Sequence, residues 1–112
     1  GIGSGDSYRQ AVAMSPKICA NPDLSGWAGW GPDPLVFLRE MAPHITTLHL
    51  HDNMPGQPRA TNVPIGEGQN PIRPILQMMQ KEKLQFVAVI ERTQTLAEGE
   101  DNVATLRKAG TL

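Results

Sequence analysis

Cysteine is nearly absent from this sequence, and so are aromatic residues and any long apolar run. The single cysteine, Cys19, excludes an internal disulfide and suits a reducing compartment. No stretch approaches the roughly 20 apolar residues of a membrane-crossing helix, so no membrane partner is expected. The formal net charge is −1, which supplies no field to attract nucleic acid. The first ten residues, GIGSGDSYRQ, hold no basic region followed by an apolar stretch. With no export signal visible, the expected location is the cytoplasm. "GIGSGD" has a superficial likeness to a dinucleotide fingerprint, but no strand precedes it.

What is present is an ordinary globular composition of 39% hydrophobic and 19% charged residues over 112 positions, enough for one small domain. Aromatics make up only 4%, whereas Gly (11) and Pro (10) are frequent and cluster at 21–34 and 54–71. Those two segments read as loops, long ones for so short a chain, and long loops tend to carry function.

Between them the pattern repeats as strand, loop, helix. Residues 7–14 read as the tail of a helix and 17–23 (KICANPD) as a short strand. Asp33-Pro34 opens a helix with an N-cap and a proline at the first helical position, and Leu35, Leu38 and Met41 follow at a helical interval. A strand is expected at 45–52. Asn70-Pro71 repeats the cap-and-proline start, and Ile72, Ile75, Leu76 and Met79 then form an amphipathic stripe. Residues 84–91 make a further strand, and a last helix is expected at about 100–109. Alternating strands and helices predict an α/β fold with a parallel sheet.

Strict alternation sorts each strand into two faces. In "ITTLHLHDN" (45–53), Ile45, Thr47, His49 and His51 share one face, and Thr46, Leu48 and Leu50 the other. In 84–91, Phe86, Ala88 and Ile90 oppose Val87, Val89 and Glu91. Asp23 ends the first strand on the face of Asn21 and Cys19; Cys19 itself is read as a small buried residue. Three parallel strands therefore end in Asp23, His49 (with His51) and Glu91. Ligands of α/β proteins bind at that end of the sheet. Two carboxylates and an imidazole converging there suit a divalent metal ion. "HxH" also occurs in zinc hydrolases of the amidohydrolase type, but those need further histidines on later strands, and only His44 remains, upstream. Asp52 reads as a turn-initiating residue.

Four motifs in order, "NPDLSGWAGWGPDP", "ITTLHLHDN", "NVPIGEGQNPIRPILQMMQKEKL" and "FVAVIER", resemble the xylose-isomerase-like (β/α)8 TIM barrels of sugar phosphate isomerases and epimerases. The resemblance runs from about residue 16 to the end. It implies a partial barrel domain over 1–112, the C-terminal portion at about strands 6–8. A barrel takes roughly 250 residues, so the N-terminal half, or a second copy in a homo-oligomer, is an expected partner.

The resemblance also implies that Asp23, His49 and Glu91 match the family's metal ligands, for one divalent ion (Mn, Mg, Co or Zn). Glu91 would be one of two glutamate bases that exchange a proton beside the carbonyl of a sugar or sugar phosphate through an enediolate, the other being expected on a strand before residue 1. Trp27, His51 and Arg59 would meet the substrate. His51 stands where lysine is common, and Gly26 where the family usually has histidine. Glu67, between two glycines that permit φ > 0, reads as structural. Lyase or dehydratase chemistry on a keto-sugar or inosose uses the same site, and a non-catalytic degenerate module is a further alternative. The related nuclease that cuts at abasic sites needs additional ligands where this chain has Gly26, Ala60 and Asn62.

Overall fold

The computed structural model describes residues 4–54 and 62–90, together with Ala104. Among the described residues, helices lie against one face of a small parallel sheet. Helix α1, Gly5–Met14, is complete rather than a tail. Ser4 precedes it in extended conformation, and its Oγ accepts the N–H of Ser7 at 3.1 Å. Helix α2, Pro34–Met41, starts as its sequence indicates, with Asp33 Oδ1 accepting Leu35 N–H at 2.9 Å and Pro34 in the first turn. It buries Phe37, Leu38 and Met41, and Phe37 stacks on Trp30 with centroids 5.0 Å apart.

Helix α3, Ile72–Lys81, buries Ile72, Ile75 and Leu76 as the stripe requires, and Met78 as well, while Met79 is half-buried. Burying each such side chain contributes about 1.5–3 kcal/mol. Asn70 does not cap this helix. Pro71 holds the cap position with no side-chain acceptor, and the Asn70 amide is engaged elsewhere. At the other end Lys83 takes a left-handed conformation (φ 53°), and Leu84 N–H reaches back to Met79 C=O at 3.0 Å. That bond closes a Schellman turn. The expected helix at 100–109 lies outside the described residues except for Ala104, which is helical.

Paired arginines tie the helices together on the outside. Arg9 of α1 donates twice to Glu40 of α2, at 2.9 and 3.0 Å. Arg39 of α2 does the same to Glu82 at the end of α3, at 2.8 and 2.9 Å. Hydrogen bonds from the guanidinium groups hold both carboxyls below their ordinary range.

The strands among the described residues are, in chain order, β1 Thr47–Leu50, β2 Asp52–Asn53, β3 Asn62–Val63 and β4 Val87–Ile90. β1 and β4 pair in parallel, Thr47 with Val87 through Leu50 with Ile90. Leu48, Leu50, Ala88 and Ile90 face the helices. Thr47 and His49 are half-exposed on the other face, where Val87 and Val89 are exposed. Among the described residues no helix is long and apolar enough to cross a membrane.

Residues 17–23 depart from the expected continuous strand. They join β1 through two single parallel bridges, Ala20 with Ile45 and Asp23 with His49. Three steps on one side match four on the other, so the stretch between Ile45 and His49 carries one extra residue, a bulge, with Thr46 N–H still paired to the Ala20 carbonyl at 3.0 Å. Pro22 contributes to the break, since it has no N–H to give and only its carbonyl pairs, accepting His49 N–H at 2.9 Å. The bulge corrects the assignment of faces. Ile45 is buried among helix-facing residues with Ala20 and Leu48, not on the His49 side. Cys19, expected to be buried, is exposed. The strand expected to run through 52 stops at Leu50, and β2 turns away to pair antiparallel with β3.

Candidate functional site

The bulge places Asp23 beside His49. With regular pairing from Ala20 and Ile45, Asp23 would have met Leu48; the extra residue advances the register by one and gives it His49 instead. Asp23 also caps the 3₁₀ turn at Leu24–Gly29. Its Oδ1 accepts Ser25 N–H at 2.8 Å, and its carbonyl accepts Gly26 N–H at 3.0 Å. The other carboxylate oxygen, Oδ2, lies 3.3 Å from Nε2 of His51. That imidazole is 5% exposed and the carboxylate side chain 41%. The same negative charge acts on Tyr8. Burial first, and then Asp23, pushes the Tyr8 phenol above its ordinary value.

A second layer fixes His51. Asn70 Nδ2 donates to the His51 carbonyl at 2.7 Å and to Asn53 Oδ1 at 2.9 Å, and its Oδ1 accepts Trp27 Nε1–H at 2.9 Å. One amide thus joins the turn after Asp23, the end of β1 and the entrance to α3. Beneath it, buried Asp52 accepts four backbone N–H groups. Asn53 and Asn70 donate to Oδ1, each at 3.0 Å; Gly66 and Gly68 donate to Oδ2 at 2.8 and 2.9 Å. The "GEG" turn is therefore folded around a carboxylate. Gly66 has φ 96°, and a Cβ on Gly68 would collide with the Asp52 carboxylate and the Asn53 carbonyl. Glu67 between them is exposed, consistent with a structural turn.

Of the residues expected in the site, Asp23, His49 and His51 come together at one end of the sheet. Trp27 is half-buried, with its N–H taken by Asn70. Glu91 and Arg59 lie outside the described residues. Among the described residues, no three His, Cys, Asp or Glu side chains form a ready ion-binding group. The mixed oxygen and nitrogen donors of Asp23 and the histidines are nonetheless of the kind a divalent ion takes. At Gly26 an added Cβ would meet nothing within 4 Å, so a side chain has room there. Sequence reasoning missed Tyr8, Asn70 and the anchoring by Asp52. The last two had a signal, an aspartate closing one strand and an asparagine following a Gly-x-Gly turn, but it needs the contact to be interpreted.

No protein-family model and no curated protein sequence matches the chain. Solved structures do. The crystal structure of the probable 3-DHS dehydratase AsbF of Bacillus anthracis, involved in petrobactin synthesis, is 17% identical and has a TM-score of 0.75 over 94% of this chain. A D-tagatose 3-epimerase-like protein is 16% identical, with a TM-score of 0.66 over 96%. The chain spans 44% and 40% of their respective lengths. Its fold is that of part of a (β/α)8 barrel, with parallel strands and helices.

Proposed function

We propose that this chain is part of a divalent-metal-dependent enzyme that isomerises or epimerises a sugar or sugar phosphate. The observation that carries the reading is the register match of Asp23 with His49 at the C-terminal ends of adjacent parallel strands. Barrel enzymes hold their substrates at that end. The fold likeness to an epimerase-like protein supports it. Asp23, His49 and Glu91 would hold the ion, which when bound stabilises negative charge developing on a substrate oxygen.

The chain's own residues do the rest. Glu91 moves a proton at the carbon beside the carbonyl by way of an enediolate; isomerisation returns that proton to the neighbouring carbon, whereas epimerisation needs a second acid on the opposite face of the substrate to deliver the incoming proton. Trp27, steadied by Asn70, forms a wall of the sugar pocket. Arg59 binds a phosphate or hydroxyl group.

A dehydratase acting on a keto-sugar with the same residues is the second reading, favoured by the higher TM-score to the probable 3-DHS dehydratase. Metal analysis and turnover of keto-sugars by the enzyme carrying this segment test both. Glu91→Gln should lower turnover on the order of 10²–10⁴-fold while reducing metal affinity less. Release of water rather than an isomer identifies the dehydratase. An enzyme without bound metal, or unaffected by Glu91→Gln, refutes the proposal.

A further inference from the structure

We infer that His51 is itself a ligand of the ion and shares it with Asp23, an inference that rests on the metal-dependent reading above. The family resemblance assigns His51 to the substrate. A substrate-facing imidazole must present its polar tip to the pocket, yet His51 is 5% exposed and directs Nε2 at Asp23 Oδ2, 3.3 Å away. Two donors bound to one small divalent ion at about 2.1 Å stand about 3.0 Å apart in octahedral geometry and about 3.4 Å apart in tetrahedral geometry. The observed separation falls between the two.

Both groups are already fixed from behind. Ser25 N–H holds the other oxygen of Asp23, and Asn70 holds the main chain of His51. Asn70 is fixed in turn by the Trp27 indole and by its own N–H on Asp52. Little conformational freedom is left to lose on binding, which favours affinity. The imidazole reaches the ion from the protein side, and the half-exposed carboxylate from the open side, where further ligands enter.

The ¹⁵N-labelled enzyme carrying this segment, titrated with Zn²⁺ and followed by two-bond ¹H–¹⁵N correlation of its imidazoles, tests this directly. The rings of His44, His49 and His51 are assigned by replacing each in turn with glutamine. His51 Nε2 should shift to a metal-bound position as one equivalent is added. By calorimetry, His51→Ala should weaken Zn²⁺ binding by about 100-fold or more. The wild-type spectrum answers the question even if the variant fails to fold. Zn²⁺ binding that leaves the His51 ring unshifted overturns the inference and leaves the metal-dependent reading standing. Absence of both Zn²⁺ and Mn²⁺ binding by the enzyme carrying this segment overturns the two together.

Discussion

Asp52 is 2% exposed and has both oxygens occupied by main-chain N–H groups drawn from residues 53, 66, 68 and 70. A buried carboxylate is tolerated when it is fully hydrogen-bonded, and charged acceptors make the stronger bonds. The arrangement demands an amide at close range with no side chain in the way, which is why position 68 is glycine. Gly68→Ala drives a methyl group into the carboxylate and should cost about 2 kcal/mol, read as a lower urea midpoint with an unchanged slope. Because Asn70 belongs to the same turn, this variant should also loosen His51 and Trp27, seen as earlier exchange of the Trp27 indole proton.

At the level of elements, the end of α3 holds a residue against its preference. Lys83 occupies the left-handed region that costs a side-chain-bearing residue roughly 1–2 kcal/mol. Lys83→Gly removes that cost but adds glycine's chain entropy in the unfolded state. A net gain of about 1 kcal/mol is expected, measured as a raised thermal midpoint. The helices were largely legible in the sequence because their signals are local. Asp33-Pro34 and the Ile72-Ile75-Leu76 stripe lie within one or two turns, and the structure uses them as expected. Asn70 misled for a related reason. Its local pattern is that of a cap, but partners 17 to 46 residues away in sequence take its amide. The bulge between Ile45 and His49 was equally hidden, since strict alternation along one strand says nothing about the length of the segment it pairs with.

For the whole molecule, one face of the sheet is buried under helices and the other is open. Val87 is 57% and Val89 37% exposed there, beside Thr47 and His49. In the barrel fold this side faces inward, and the two valines have the β-branched shape that fills barrel interiors. The isolated chain is therefore expected to associate as concentration rises. Sedimentation should show that association, and the double variant Val87→Thr/Val89→Thr should diminish it with secondary structure intact, because threonine keeps the strand preference. How Asp23 and the histidines came within reach was legible only in part. Their shared end of the sheet followed from alternation, whereas the Asp23–His51 approach depends on where the chain bends after β1.

The extra residue between Ile45 and His49 has one more implication, for chain length. Excising Thr46 would straighten the run yet leave Ile45, Leu48 and His49 on the sides they now occupy, because both partners would then count three steps. The same excision within 48–50 would exchange inside for outside. Residue 46 is thus a neutral point for insertion and loss, and a related strand one residue shorter there would still set its acid against its imidazole.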